Sequence, residues 1–266
     1  MAAMGSVENS MEPRTILLPR DLHMPIPSWC KKILKRLLYG PYYQYFNRLS
    51  DAIADPRGLG MADFLMHDSL HVSPKYRNIF YSMLRGANVI DCGVNRGKFI
   101  DLCNLFGVQI IGFEPNLKLY SFLQYKYENY KDVKLINSGV GADSGLVDFY
   151  FDADNISDEG FTVCALKKYK DTKSVTSVKC QIIDLCDFIQ KEYVEKGQRV
   201  YLLKLDVEGA EFGLVEKICK TGIFRHCDYI VVETHARAFD DGNERLQKIK
   251  DAISSAGATN IDLDWV

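Results

Sequence analysis

The chain has 266 residues, with 33 Lys plus Arg and 35 Asp plus Glu, so its formal net charge is −2 at pH 7. Because 47% of the residues are hydrophobic and 26% are charged, the composition is that of an ordinary globular protein and excludes a disordered chain. The near-neutral balance gives no overall basic field of the kind that attracts nucleic acid. The length fits one large domain or one domain with an appendage.

Targeting signals and cysteine spacing point to one compartment. The sequence has no apolar run of about 18 residues and no apolar core like that of a secretory signal near its N-terminus. None of the eight cysteines forms a CxxC pair, and no cysteine–histidine spacing suits zinc. Several cysteines lie in apolar runs, so we interpret them as small core residues in a reducing environment. The sequence therefore predicts a cytoplasmic protein.

The N-terminal part differs from the rest of the chain in its sequence pattern. Residues 1–25 contain three prolines and few periodic apolar residues, which predicts a flexible tail. Residues 28–39 place apolar residues on one helical face and four basic residues on the other. That helix either makes a weak membrane-surface contact or packs its apolar face on the main domain, with its basic face in solvent. We predict that residues 26–85 form a helical N-terminal extension.

Residues 86–266 alternate between strand and helix patterns. The predicted strands are 88–91, 108–113, 133–138, 200–205, 229–232 and 260–263, and the predicted helices are 96–106, 117–130, 185–194, 211–220 and 244–255. Segments 146–151 and 175–182 predict an added β-hairpin or extension. Apolar strands that alternate with amphipathic helices favour an α/β fold with a doubly wound, mostly parallel sheet.

The turn after the first predicted strand has the pattern of a nucleoside-binding turn. Gly93 permits a tight turn, and Gly97 permits close approach of a helix whose free N–H groups face the ligand. Glu114 ends the second strand 21 residues after Gly93, which is the spacing of an acid that binds ribose hydroxyls. Asn95 replaces the glycine that lets a diphosphate approach. The turn therefore fits S-adenosylmethionine, with its amino acid tail and sulfonium, better than NAD.

A second polar set follows the fourth and fifth predicted strands. Strand alternation places Lys204 and Asp206 on the same face, with Asp206 at the end of its strand. Glu233 and His235 follow the next strand. Because parallel strands end at the same edge of a sheet, we expect these four side chains to reach one crevice.

The motifs VIDCGVNRGKF, IIGFEPN, LLKLDVEGAEF and VVETH closely resemble those of FkbM-type methyltransferases. The resemblance covers residues from about 86 to 264 and implies a class I Rossmann-like fold, S-adenosylmethionine as cofactor and transfer of a methyl group to oxygen. It implies these roles: Asp91, Gly93, Asn95 and Gly97 line the methionine part of the cofactor, Glu114 binds its ribose, and residues 137–140, which include Ser138, flank its adenine. It also implies that Asp206 lies beside the methionine amino group and the acceptor, and that Glu233 and His235 face the acceptor.

An alcohol acceptor must lose its proton during methyl transfer, which requires a general base or a metal ion. His235 is a predicted base because the unperturbed pKa of histidine is about 6.5. Asp206 is the alternative base, with Lys204 either fixing it electrostatically or simply neutralising a buried acid. Asp206, Glu233 and His235 also form a set that suits magnesium or manganese, although the sequence does not assign a metal. Glu211 is interpreted as stabilising a helix dipole.

Three hypotheses of function remain open. The favoured one is a methyltransferase acting on a hydroxyl of a sugar, glycan or hydroxylated small molecule. The second is an RNA ribose 2′-O-methyltransferase, since Lys204, Asp206 and Glu233 match part of a Lys-Asp-Lys-Glu set, although the main domain is not basic. The third is a partner protein that binds the cofactor without catalysis. The sequence does not identify the acceptor or the oligomeric state.

Overall fold

The computed structural model describes residues 49, 52–54, 59–152 and 175–265. The predicted tail over residues 1–25 and the predicted helix over residues 28–39 lie outside the described residues. None of the described helices is both long and apolar enough to span a bilayer.

Seven α-helices and nine strands make up the regular structure of the described residues. The helices are α1 (Gly60–Phe64), α2 (Arg77–Tyr81), α3 (Lys98–Asn104), α4 (Leu117–Lys126), α5 (Leu185–Glu192), α6 (Glu211–Thr221) and α7 (Gly242–Ala256). The strands are β1 (Asn88–Cys92), β2 (Gln109–Phe113), β3 (Val133–Ile136), β4 (Gly139–Gly141), β5 (Gly145–Asp152), β6 (Val175–Asp184), β7 (Val200–Leu205), β8 (Cys227–Val232) and β9 (Ile261–Asp262).

Six of these strands form one parallel sheet in the order β3-β2-β1-β7-β8-β9. Every pair in it is parallel, and in register Asp91 lies opposite Lys204 on β7. The order reverses between β1 and β7, which is the crevice where open α/β sheets bind ligands. The prediction of a doubly wound, Rossmann-like α/β fold is therefore confirmed.

The smaller sheet has the order β4-β6-β5, with β5 antiparallel to β6, so the predicted hairpin is confirmed. The third predicted strand, residues 133–138, is two residues longer than β3 in the structure. The sheet pairing of β3 ends at Ile136, and the side chain of Asn137 donates hydrogen bonds to the carbonyl oxygens of Glu114 (2.9 Å) and Pro115 (3.2 Å). These bonds tie the end of β3 to the end of β2 before the chain enters the smaller sheet.

Strand alternation fills the two faces of the large sheet with different helices. Ile90, Leu203 and Ile230 are fully or almost fully buried in a cluster with helices α5, α6 and α7. Val89 and Leu202 point the other way and pack with helices α3 and α4. The positions that follow in the same register as these last two are Asp91 and Lys204, so the polar residues lie at the carboxyl end of an otherwise apolar face.

The described part of the predicted N-terminal extension packs on this second face. Tyr76 and Phe80 are buried with Phe99 of α3 and with Trp265, and the ring centroids of Phe99 and Trp265 lie 5.9 Å apart. Aromatic pairs at this distance are typical of a packed core. The division of the chain at residues 25 and 85 stays a prediction.

All six described cysteines are buried and none forms a disulfide. They are Cys92, Cys103, Cys180, Cys186, Cys219 and Cys227. The interpretation of the cysteines as small core residues is confirmed for these positions.

Candidate functional site

Lys204 lies at the centre of a buried ion network at the ends of β1 and β7. Its Nζ donates to Asp91 Oδ1 at 3.1 Å, to Asp206 Oδ2 at 3.2 Å and to the carbonyl oxygen of Gly93 at 3.1 Å. Burial lowers the pKa of Lys204, but the charges of Asp206 and Asp91 outweigh it and raise the pKa above its usual value. The lysine therefore stays charged and holds both acids.

Asp91 lies beneath the crevice rather than in it. Its side chain is fully buried, and its Oδ2 atom has no hydrogen-bond partner. Burial raises the pKa of Asp91 to about 6, although Lys204 opposes the shift. Its contact with Lys204 suggests that it acts by orienting that lysine.

Glu114 anchors the loop after β1 to the end of β2. Its Oε2 accepts a hydrogen bond from the backbone N–H of Asn95 and its Oε1 accepts one from the backbone N–H of Asn116, both at 2.8 Å. Burial is the main cause that raises the pKa of Glu114, to about 7, while the two backbone bonds oppose it. Each carboxylate oxygen keeps a lone pair, so the acid can still accept a hydroxyl donor.

A cavity opens beside Glu114 at the carboxyl ends of β1, β2 and β7. This first cavity is lined by Gly93, Asn95, Phe113, Glu114, Pro115, Gly139, Val140, Phe149, Asp206, Val207, Glu208 and Ala210. Its empty volume, counted together with the open solvent at its mouth, is about 590 Å³. Its charged lining residues are all acids.

The predicted cofactor residues divide into two groups. Gly93, Asn95, Glu114 and Asp206 line the first cavity, whereas Asp91, Gly97 and Ser138 do not. A Cβ atom at Gly97 would collide with the hydroxyl of Tyr127, which donates a hydrogen bond to the Gly97 carbonyl oxygen at 2.7 Å. Gly97 thus serves helix packing, and Ser138 is buried with its hydroxyl donating to the carbonyl oxygen of Gly139.

Gly93 brings the loops after β1 and β7 into contact. Its φ angle is +88°, and a Cβ atom there would collide with the carbonyl oxygen of Asp206. Only glycine combines this backbone conformation with such a close approach. The two loops that border the first cavity therefore share one contact point.

Two lining residues of the first cavity have strained backbones. Asn95 has φ 52° and Glu208 has φ 49°, and among the described non-glycine residues His71 is the third with a positive φ. Such conformations cost about 1–3 kcal/mol each and tend to occur at functional sites. From the sequence, Glu208 is interpreted, like Glu211, as an acid that opens the helix after the fourth predicted strand, because no local pattern encodes the backbone angle that the folded loop imposes.

His235 faces three carboxylates at the ends of β7 and β8. Its Nε2 lies 3.9 Å from Asp206 Oδ1, 3.7 Å from Glu208 Oε2 and 3.8 Å from Glu233 Oε1. Burial lowers the pKa of His235, but Glu211 and the other acids outweigh it and raise the pKa to about 9. The imidazole is therefore protonated at neutral pH. Burial and Asp206 raise the pKa of Glu233.

Glu211 is a site residue that sequence reasoning treated as a helix-dipole acid. It is fully buried, and its Oε2 accepts a hydrogen bond from the N–H of Gly209 at 2.7 Å. Its Oε1 accepts one from the N–H of His235 at 2.8 Å. The acid therefore joins the loops after β7 and β8 and positions His235.

A second cavity lies on the other side of Asp206. It is lined by Leu70, Gly93, Val94, Asn95, Arg96, Lys98, Phe99, Lys204, Asp206, Glu233 and Trp265. Gly93, Asn95 and Asp206 line both cavities. Two ligands bound in the two cavities would therefore meet at Asp206, which suits a transfer reaction between them.

Comparisons with known proteins supplement this geometry. A TehB-like SAM-dependent methyltransferase from Corynebacterium glutamicum is similar at 12% identity and a TM-score of 0.33, over 67% of this chain and 71% of that chain. No curated protein matches the chain. A family model of the methyltransferase FkbM domain matches residues 91–258, which is more than half of the chain. The matched range includes the ion network, both loops at the crevice and His235.

Proposed function

The chain belongs to the FkbM methyltransferase family, and from this membership we propose that it transfers a methyl group from S-adenosylmethionine to a hydroxyl of a sugar, glycan or hydroxylated small molecule. When bound, S-adenosylmethionine supplies a methyl group activated by its positive sulfonium. The protein's own residues then bind it, orient the acceptor and accept a proton.

The charge of the first cavity is the observation that carries this proposal. Its charged lining residues among those described, Glu114, Asp206 and Glu208, are all acidic. Carboxylates attract a sulfonium and an α-ammonium group but repel the diphosphate of a nicotinamide dinucleotide. The free lone pairs of Glu114 fit a ribose diol, and Val140 and Phe149 provide apolar surface for a purine.

The second cavity suits a polar acceptor. Phe99 and Trp265 give it aromatic walls, while Arg96, Lys98 and Glu233 give it charged groups. Sugars bind where apolar ring faces and polar groups alternate. An acceptor hydroxyl near Asp206 would lie at the border of the two cavities, within reach of a methyl group in the first.

The transfer also needs a proton acceptor. The acceptor oxygen forms a bond to the methyl carbon as the carbon–sulfur bond breaks, sulfur keeps the electron pair, and the hydroxyl proton passes to the protein. His235 is protonated at neutral pH, and Lys204 holds Asp206 Oδ2. We therefore assign the proton to Glu233, whose raised pKa makes its carboxylate the better base.

A methyl-transfer assay tests the proposal. Labelled S-adenosylmethionine and a panel of glycans and hydroxylated compounds should give a labelled product. Glu233→Gln should lower turnover by about 10²–10⁴-fold, the usual contribution of a general base, with cofactor affinity unchanged. The exposed Glu195→Gln serves as the matched control. Calorimetry that detected binding of NAD but not of S-adenosylmethionine would overturn the proposal.

One observation favours RNA ribose 2′-O-methylation as a second candidate. Lys98, Lys204, Asp206 and Glu233 line the same cavity and supply the residue types of a Lys-Asp-Lys-Glu set. Methylated RNA as product, with binding that weakens steeply as salt rises, would support this candidate over a glycan acceptor.

Two further expectations stay proposals. The buried, unpaired cysteines support a reducing compartment such as the cytoplasm. Weak membrane-surface contact through residues 28–39 rests on the sequence alone.

A further inference from the structure

Asp206, Glu233 and His235 converge at the border of the two cavities. One ligand atom from each lies within 4.8 Å of the others. The Nε2 atom of His235 is 3.9 Å from Asp206 Oδ1 and 3.8 Å from Glu233 Oε1. These distances exceed those of hydrogen bonds, so the three groups face a common point without bonding to one another.

The imidazole of His235 supplies an independent indication of a ligand. The residue is only 8% exposed, and its buried Nδ1 has no hydrogen-bond partner. That Nδ1 lies 3.4 Å from Oε1 of the fully buried Glu211, which leaves Nε2 aimed at Asp206 and Glu233. An imidazole with a carboxylate behind it and oxygen donors in front of it has the arrangement of a metal-binding histidine.

The surrounding charge also favours a cation. Four acids, namely Asp206 and Glu233 with the buried Asp91 and Glu211, lie around two cations, Lys204 and the protonated His235. Partly buried acids without enough opposite charge are costly. A divalent cation held by Asp206 and Glu233 offsets this excess of negative charge.

We propose that Asp206, Glu233 and His235 bind a divalent cation of the magnesium or manganese class, and that the imidazole of His235 releases its proton to solvent when the ion binds. Two carboxylates and one imidazole, with no thiolate, suit these hard ions. Three protein ligands leave coordination positions open toward the second cavity, which Asp206 and Glu233 line. The binding itself does not depend on the proposed function, whereas any catalytic use of the ion rests on it.

In that use, the bound ion would supply Lewis-acid chemistry that lowers the pKa of the acceptor hydroxyl. Its proton passes to the carboxylate oxygen of Glu233 that does not hold the ion, and then to solvent through the second cavity. The oxygen thereby becomes a stronger nucleophile before it attacks the methyl carbon.

Manganese(II) alone, added to chelator-treated full-length protein, tests the site. Electron paramagnetic resonance should show one ion bound per chain. Glu233→Gln and His235→Ala should each weaken manganese binding at least tenfold. Loss of a group that only supports a metal ligand already costs about 10–100-fold in metal affinity, and loss of a ligand itself should cost no less. Glu195→Gln and His226→Ala, which lie outside the site, are the matched controls and should bind as the wild type does. No bound manganese, or equal binding by all variants, overturns the site.

Two further measurements keep the outcome decisive. Circular dichroism identifies any variant that fails to fold, and Asp206→Asn then replaces it with the same expected loss of affinity. With the identified acceptor, chelation should abolish turnover and magnesium should restore it. Manganese binding with turnover unaffected by chelation overturns the catalytic use. Failure to bind S-adenosylmethionine overturns the proposed function while the manganese result stands.

Discussion

Glu114 shows how one side chain combines structural and ligand-binding duties. Both oxygens already accept backbone N–H groups, and the side chain is 5% exposed. Burial holds its pKa near 7, so a small change in pH changes its charge. A ribose hydroxyl would donate to the charged form, and ligand binding should therefore depend on pH in the neutral range.

We expect the affinity for S-adenosylmethionine to fall as the pH drops through about 7. The raised pKa means that the acid gains its proton on acidification, and about one molecule in ten stays ionised at pH 6. Calorimetry should give an affinity about tenfold lower at pH 6 than at pH 8. Glu114→Gln should bind weakly at both values. The same tenfold dependence in this variant would assign the titration to another group, such as Asp91, whose pKa is raised to about 6.

Glu211 shows why an acid at the start of a helix is ambiguous in sequence. An exposed acid in the first turn only complements the helix dipole, but this one is fully buried and accepts backbone N–H groups from two loops. One of its partners, His235, is 24 residues away in the chain. The sequence pattern alone contains no sign of that contact.

Glu211→Gln should destabilise the protein by about 1–3 kcal/mol, the cost of leaving a buried donor without an acceptor. The amide has one oxygen for two N–H groups, so its NH₂ group must face Gly209 or His235. Urea denaturation measures the loss. Glu216→Gln on the same helix removes only a partly exposed ion pair with Lys248 and should cost less than about 1 kcal/mol. Equal losses would contradict the assigned role.

At the scale of elements, the ends of β1 and β7 are joined at Gly93. The backbone N–H of Asp206 donates to the carbonyl oxygen of Cys92 at 3.0 Å, and Gly93 follows directly. From the sequence, Gly93 is predicted to permit a tight turn. The structure adds that it leaves room for the neighbouring loop.

Gly93→Ala should cost at least about 1 kcal/mol of stability, because its φ of +88° is strained for alanine. The new Cβ also pushes against the carbonyl of Asp206, so affinity for S-adenosylmethionine should fall. Thermal denaturation and calorimetry measure the two effects. Gly145→Ala is the control, since a Cβ there meets nothing within 4 Å. A Gly93→Ala protein with unchanged affinity would show that the contact between the loops does not shape the first cavity.

Strand periodicity predicted the centre of the large sheet well because β1 and β7 are short apolar runs that are buried on both faces. The same periodicity predicts a β3 that is too long, because the side chain of Asn137 donates a hydrogen bond to the end of β2. No local pattern encodes this long-range contact. Parallel strands end at one edge, so Lys204, Asp206, Glu233 and His235 could be predicted to reach one crevice. The positions of Phe149 and Glu208 could not, because a separate sheet and a strained loop bring them to the first cavity.

For the whole molecule, a net charge of −2 conceals an uneven distribution. The charged residues that line the first cavity are acids, while the second cavity is lined by Arg96, Lys98 and Lys204 together with Asp206 and Glu233. The net charge of the whole chain therefore does not indicate the charge of the ligands that each cavity can bind. The first cavity is complementary to cationic groups of a ligand, and the basic residues of the second cavity are complementary to anionic groups.

The buried cysteines can report local unfolding of the elements that contain them. One thiol lies in each of six elements, namely Cys92 in β1, Cys103 in α3, Cys180 in β6, Cys186 in α5, Cys219 in α6 and Cys227 in β8. Burial raises the pKa of every one, to about 12 for Cys227. Alkylating reagents react with accessible thiolates. The labelling rate of each thiol therefore measures how often its helix or strand opens to solvent. A slower rate in the presence of a ligand would show which elements the ligand stabilises.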